Sequence, residues 1–120
     1  MARVLLVDDL AFIKRIEKRV LEGSGHEIAG DAKDGLEAIA MYKQLKPDIV
    51  IMDITMPHVN GLEALKKILD FDPKAKVIMC SAISHEKVLY QAVKAGAMEY
   101  IIKPFTTERL VATINEVLQN

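Results

Sequence analysis

The sequence is poor in the residues and patterns that several classes of protein require. Its single cysteine, Cys80, has no partner for an internal disulfide and indicates a reducing compartment. No apolar run approaches the roughly 18 residues of a membrane-spanning helix, and the short apolar run before Asp8 is too short for a signal peptide. Lysine and arginine number 16 against 17 acidic residues, without the basic excess typical of nucleic-acid-binding proteins. We therefore expect a cytoplasmic protein that binds neither nucleic acid nor membranes.

The composition that is present is that of one folded domain. The 120 residues are 51% hydrophobic and 28% charged, which is ordinary for a globular protein and excludes disorder. A chain of this length buries roughly two thirds of the surface that it exposes when unfolded. No linker, low-complexity tract or repeat longer than a strand–helix unit divides it. We predict a single domain over residues 1–120 and expect a monomer.

Five short apolar segments alternate with five segments of helical periodicity. Three of the apolar segments lack polar alternation, as is typical of strands covered on both faces in a parallel sheet. The predicted strands cover residues 4–7, 27–31, 48–52, 76–80 and 100–102. Apolar stripes predict the helices, and Phe12, Ile16 and Val20 form the stripe of the first one. Strict alternation predicts a single doubly wound (βα)5 domain of the α/β class, with a five-stranded parallel sheet.

Polar side chains follow the predicted strands where those strands end. Asp8 and Asp9 follow the first strand, Asp53 the third, Ser81 the fourth and Lys103 the fifth. The carboxyl ends of parallel strands share one edge of the sheet, where doubly wound proteins bind their ligands. Clustered carboxylates repel one another and favour a bound cation, and hard oxygen ligands favour Mg²⁺. The cysteine and the histidines lack the spacing of zinc ligands.

The order of these motifs resembles that of response-regulator receiver domains. The similarity extends over the whole chain, and the motifs are specific as a set although each is weak alone. The matching stretches are Asp8-Asp9, Asp53-Ile54-Thr55-Met56-Pro57 with Asn60-Gly61, Ser81-Ala82 and Lys103-Pro104-Phe105. The resemblance implies a flavodoxin-like order of strands and a cis peptide bond between Lys103 and Pro104.

The resemblance also implies an acceptor and a metal site. Asp53 corresponds to the phosphate-accepting aspartate, whose carboxylate attacks a phosphoryl group and forms an acyl phosphate. Asp9, Asp53 and the backbone carbonyl of Thr55 correspond to the ligands of Mg²⁺. Asp8 corresponds to the acidic residue that binds the ion through water.

Three further residues correspond to the family's switch. Lys103 would pair with the phosphoryl oxygens, Ser81 would move its hydroxyl toward them, and Tyr100 would turn inward. The face formed by the fourth helix, fifth strand and fifth helix would then change its affinity for a partner protein.

The implied function is a stand-alone two-component response regulator. It would receive its phosphoryl group from a sensor histidine kinase and carry out only self-phosphorylation and self-dephosphorylation, so it would not be a classical enzyme. The segments around Phe12, Ser81 and Tyr100 resemble the chemotaxis branch, in which the target is the flagellar motor switch. Another protein target remains an alternative, and a phosphatase would be a further partner.

Two other functions remain open from the sequence. A phosphorelay intermediate, passing phosphoryl groups between histidines, would carry the same site residues. Residues 53–55 also resemble the nucleophile motif of haloacid-dehalogenase-type phosphatases, although Thr55 stands where those enzymes usually have a second aspartate. The chain is short for the later motifs of such a phosphatase.

Each candidate residue also has a purely structural alternative. Asp8 and Asp9 are residue types that cap helices, here the first helix. Asp53 and Lys103 stand where turns often begin, and Tyr100 could be a half-buried residue of an edge strand.

Overall fold

In the computed structural model, which describes residues 2–54, 60–82 and 86–119, strands and helices alternate along the chain. The strands are β1 (Arg3–Val7), β2 (Glu27–Ala32), β3 (Ile49–Asp53), β4 (Val77–Ala82) and β5 (Glu99–Lys103). The helices are α1 (Ala11–Gly23), α2 (Gly35–Leu45), α3 (Gly61–Phe71), α4 (Glu86–Ala95) and α5 (Thr107–Leu118). Within the described ranges, none of these helices is long and apolar enough to cross a bilayer.

All five strands are parallel and form one sheet in the order β2-β1-β3-β4-β5. The predicted doubly wound, flavodoxin-like α/β fold is therefore confirmed. The chain winds from β1 to β2 in one direction and from β3 to β5 in the other, so the strand order reverses at β1 and β3. Ligand sites of such sheets lie beyond the carboxyl ends of the strands at this reversal.

Both faces of the sheet are covered, which explains why the strands lack polar alternation. Alternate residues of β1 enter different cores: Leu5 and Val7 pack on the side of α2, α3 and α4, and Val4 and Leu6 on the side of α1 and α5. Because side chains of a strand point alternately to its two faces, burial on both sides requires apolar residues throughout. The central strands are thus held rigidly at the level of their carboxyl ends.

The strands continue slightly beyond their apolar runs. Asp53 is the last residue of β3 and pairs with Cys80, while Lys103 is the last residue of β5 and pairs with Ala82. Ser81 accordingly lies within β4. Parallel backbone pairing does not depend on side-chain polarity, so the ladder extends past the apolar segment that predicted it. Polar side chains are consequently fixed by sheet geometry at this edge.

Helix α1 is present as predicted, but of the three apolar residues whose spacing predicted it only Val20 packs against the core. Phe12 is 65% exposed and Ile16 is 45% exposed, whereas Lys14, Glu17 and Leu21 are buried. The helix is therefore rotated so that charged side chains face the protein and two large apolar ones face solvent. Apolar periodicity failed because the inward face of α1 approaches the polar edge of the sheet.

An ion-pair cluster fixes this rotation of α1. The Lys14 Nζ lies 3.3 Å from Asp31 Oδ1, and the Lys18 Nζ lies 2.6 Å from Asp31 Oδ2. Lys14 also donates to the Ala32 carbonyl at 3.4 Å. The hydrogen bond from Lys18 lowers the pKa of Asp31, and the bond from Lys14 acts in the same direction. The amino-terminal half of α1 is thereby attached to the end of β2.

We predict that two substitutions in α1 will have very different effects on stability. Phe12→Ser should change the free energy of unfolding by less than about 0.5 kcal/mol because Phe12 is mostly exposed. Leu21→Ala should reduce it by about 2–5 kcal/mol because Leu21 is fully buried. Urea denaturation followed by circular dichroism measures both free energies of unfolding. A greater loss of stability for Phe12→Ser than for Leu21→Ala would contradict the orientation of α1.

Candidate functional site

Three carboxylates meet at the carboxyl edge of the sheet. Because Val7 of β1 pairs with Met52 of β3, the next residues, Asp8 and Asp53, lie level with each other. One carboxylate oxygen each from Asp8, Asp9 and Asp53 lies within 4.8 Å of the other two. Asp8 is buried, the Asp53 side chain is 12% exposed and Asp9 is exposed. The three predicted acidic residues are thus brought together, with an open side toward solvent.

Lys103 reaches this cluster from β5. Its Nζ donates to Asp8 Oδ2 at 2.9 Å and lies 3.7 Å from Asp53 Oδ2. Burial by itself would lower the pKa of Lys103, but the hydrogen bond to Asp8 and the charges of Asp53 and Asp8 raise it above its usual value. Lys103 therefore remains a cation and offsets part of the repulsion between the carboxylates. The peptide bond between Lys103 and Pro104 is cis, as the resemblance implies.

Asp8 does not cap the first helix. The residue before α1 is Leu10, whose side chain makes no capping hydrogen bond. Asp8 Oδ1 instead accepts from the Leu10 N–H at 2.9 Å, and the Asp8 N–H donates to the Ala32 carbonyl at 3.0 Å. With Oδ2 bound to Lys103, both oxygens of Asp8 have protein donors. Asp8 is therefore held in one orientation beneath the exposed part of the site.

Ser81 and Tyr100 lie at different places relative to the carboxylates. Ser81 is 1% exposed in β4, one residue after Cys80, which pairs with Asp53. Its position at the same edge agrees with its predicted place. Tyr100 lies on the edge strand β5 and is 39% exposed, away from the carboxylate cluster. Thr55, predicted to offer its backbone carbonyl to a metal ion, lies outside the described residues.

A groove beside Tyr100 separates β5 from α4. Its volume is about 320 Å³, and its walls are largely apolar. The side chains that line it are Leu89, Tyr90, Val93, Tyr100 and Ile102. Tyr100 is therefore a half-exposed residue of an edge strand that also has space for its ring to move.

Sequence reasoning missed a fourth carboxyl group near the site. Glu17 of α1 is only 3% exposed. Burial and the negative charge of Asp8 raise the pKa of Glu17 to about 7, while Lys103 acts in the opposite direction. The signal in the sequence was the helical spacing of Lys14, Glu17 and Leu21, which becomes recognisable only once the inward face of α1 is known.

The donor set fits a hard divalent cation. Asp8, Asp9 and Asp53 offer carboxylate oxygens at separations that one ion can bridge. Such oxygens suit Mg²⁺, which binds through one or two carboxylates and retains several waters. The exposure of Asp9 leaves room for those waters. Three anionic groups against one lysine leave a negative charge that a cation would neutralise.

Comparisons with known proteins identify relatives of this chain. The sequence profile of the family described as the response regulator receiver domain matches residues 4–115. The chemotaxis protein CheY of Thermotoga maritima is 50% identical over 115 residues, which cover 96% of each chain. CheY of Bacillus subtilis is 42% identical over 116 residues, covering 97% of each chain.

A solved structure shows the same similarity in three dimensions. The CheX-CheY-BeF3-Mg²⁺ complex of Borrelia burgdorferi contains a chain that superposes with a TM-score of 0.92 at 35% identity. The superposition covers 96% of this chain and 87% of that one. A receiver, rather than a haloacid-dehalogenase-type phosphatase, accounts for both sequence and fold.

We predict that Glu17 makes stability depend on pH near neutrality. Its pKa in the folded protein, about 7, lies above the usual glutamate value of 4.5, so folding favours the protonated form. Its contribution to stability is complete below about pH 4.5 and is lost as the pH rises through 7. The free energy of unfolding of Glu17→Gln should therefore be similar to that of the parent near pH 4.5. Near pH 8 it should exceed that of the parent by about 3 kcal/mol.

The measurement is urea denaturation with a metal chelator present, at several pH values. Glu22→Gln is the matched control, since Glu22 is exposed on the same helix. A difference between Glu17→Gln and the parent that stays constant with pH would contradict the prediction.

Proposed function

Because this chain belongs to the response-regulator receiver family, we propose that it is a stand-alone two-component response regulator that accepts a phosphoryl group on Asp53. The domain would comprise residues 1–120, act in the cytoplasm and be phosphorylated by a sensor histidine kinase. Receiver domains of this type are signalling domains, not classical enzymes. The observation that carries the proposal is the convergence of Asp8, Asp9, Asp53 and Lys103 at the strand-order reversal.

Asp53 is the acidic residue best placed to be a nucleophile. It ends a central strand, remains partly accessible and faces a lysine at 3.7 Å. A carboxylate oxygen of Asp53 would attack the phosphorus of a phosphohistidine and form a P–O bond. The P–N bond would break, and the histidine nitrogen would keep the electron pair and take up a proton. The product is an acyl phosphate on Asp53 and a free histidine on the kinase.

The acidic residues would hold Mg²⁺ during this transfer. Asp9, Asp53 and the backbone carbonyl of Thr55 are the proposed ligands, and Asp8 would act through water. The occupied oxygens of Asp8 support this indirect role, because Leu10 and Lys103 already donate to them. Bound Mg²⁺ would supply neutralising charge between an anionic donor and an anionic nucleophile.

Lys103 and Ser81 would then respond to the phosphoryl group. Hydrogen bonds to charged groups contribute roughly 1.5–3 kcal/mol each, so two would supply about 3–6 kcal/mol. A shift from 1:99 to 99:1 requires about 5.5 kcal/mol. Lys103 already bonds to Asp8, so part of its contribution exists before phosphorylation. Phosphorylation should therefore shift the equilibrium only partly, and a bound partner should complete the shift.

The proposed output surface is the face formed by α4, β5 and α5. Tyr90 is 65% exposed there, and Val93 and Tyr100 are 40% and 39% exposed, which leaves apolar surface for a partner. Inward rotation of Tyr100 would change the groove between α4 and β5. The chemotaxis names of two relatives support the flagellar motor switch as the partner. The relative solved with CheX supports a protein of that kind as a further partner.

We predict that Asp53→Asn will abolish phosphorylation by acetyl phosphate, because the amide lacks the nucleophilic carboxylate oxygen. Mass spectrometry or a phosphate-affinity gel measures incorporation in the presence of Mg²⁺. Asp70→Asn is the control, since Asp70 lies on α3, which the described structure places outside the carboxylate cluster. Equal incorporation in Asp53→Asn and the parent would contradict the assignment of the acceptor.

We also predict that beryllofluoride with Mg²⁺, which mimics the acyl phosphate, will strengthen binding of a flagellar motor-switch peptide by about tenfold, or 1.4 kcal/mol. Fluorescence anisotropy of a labelled peptide measures this affinity. Tyr90→Ala should weaken the binding, whereas Phe12→Ala, which removes an equally exposed aromatic ring from α1, should not. An affinity unaffected by beryllofluoride would instead favour a phosphorelay intermediate or another target.

A further inference from the structure

Glu17 is a buried acidic residue that belongs to none of the motifs shared with the receiver family. It lies on α1 with 3% of its surface exposed. A carboxyl group in such a position is costly when ionised unless nearby charges compensate. The charged groups near Glu17 therefore bear on its role.

Glu17 and Lys103 line the same cavity between α1 and the segment after β5. The cavity has a volume of about 500 Å³, and its other walls are Ile13, Ile16, Pro104 and Phe105. Glu17 is itself almost completely buried, so its charge is screened less than a charge at an open surface. A charge on Glu17 therefore acts on Lys103 more strongly than a surface charge would.

The charged groups that shift the pKa of Glu17 come from three elements and from the residue after β1. They are, in decreasing order of effect, Asp8 after β1, Lys103 of β5, Asp53 of β3 and Lys14 of α1. Two of them are acidic residues of the proposed phosphorylation site, and Lys103 is its cation. When ionised, Glu17 adds a fourth negative charge to the three carboxylates that Lys103 partly offsets.

We propose that Glu17 is a positioning residue of the phosphorylation site, which strengthens divalent-cation binding and slows delivery of an anionic phosphoryl group to Asp53. It acts through Lys103 and through its field at the carboxylates, without contacting the ion or the phosphoryl group. This inference rests on the proposed function. It adds a residue that sets the balance between metal affinity and phosphorylation rate.

The two effects have opposite signs for a physical reason. A cation is attracted by an additional negative charge, so removal of that charge weakens its binding. With acetyl phosphate as donor, an Asp53 oxygen forms a new P–O bond while the bond to the acetate oxygen breaks, and acetate leaves with the electron pair. The approaching donor is an anion, so removal of the same negative charge accelerates its reaction.

The test compares Glu17→Gln with the parent protein near pH 8.5, where Glu17 is ionised. Isothermal titration calorimetry gives the Mg²⁺ affinity, and the rate of labelling by acetyl phosphate is measured at saturating Mg²⁺. We expect the affinity for Mg²⁺ to fall about threefold to tenfold and the labelling rate to rise by about the same factor. Opposite changes of this kind would not arise from general loss of structure.

Two further variants complete the design. Glu22→Gln removes a charge from an exposed position of α1 and should change neither quantity. Glu17→Asp keeps the charge and should restore the Mg²⁺ affinity toward that of the parent. Gln and Asp variants are both checked for folding by urea denaturation.

The outcomes separate this inference from the proposed function. If the parent neither binds Mg²⁺ nor is labelled, the proposed function fails, and the role of Glu17 fails with it. If the parent binds and is labelled, but Glu17→Gln leaves both quantities unchanged or lowers both, only the role of Glu17 is wrong. Equal effects of Glu17→Gln and Glu22→Gln would also overturn it, because position would then not matter.

Discussion

The hydrogen bond between Lys103 and Asp8 joins the last strand to the end of the first strand, at the edge of the sheet where three carboxylates meet. Without the ammonium group, the carboxylates of Asp8 and Asp53 would lie close together with only their mutual repulsion between them. The lysine offsets that repulsion from one side and leaves the other side open. The remaining negative charge of the site therefore favours a bound cation.

This arrangement depends on the sheet that carries it. Asp8 and Asp53 are neighbours because β1 and β3 are neighbours, and Lys103 reaches them from β5 across β4. Asp8 and Asp53 stand at the ends of strands whose preceding residues are buried on both faces, whereas Lys103 ends the partly exposed edge strand β5. Backbone pairing and two apolar cores therefore fix the positions of the charged groups.

Much of this could be predicted from the sequence, because the informative patterns are local. Uninterrupted apolar runs such as those of β1 and β3 identify buried parallel strands, and polar residues directly after them mark the edge that binds ligands. The orientation of α1 could not be obtained in the same way. Phe12 and Ile16 follow a helical period, but the ion pair of Lys14 with Asp31 and its hydrogen bond to the Ala32 carbonyl hold another face of the helix inward. Glu17 was missed for the same reason, since its burial is a consequence of that rotation.

The two apolar cores also determine how the molecule is divided. Helices α2, α3 and α4 pack on one face of the sheet, and α1 and α5 pack on the other, so the two layers share backbone but almost no side-chain packing. The face made by α4, β5 and α5 is different, because it takes one helix from each layer. A protein that binds there contacts one helix of each layer, on either side of the edge strand β5.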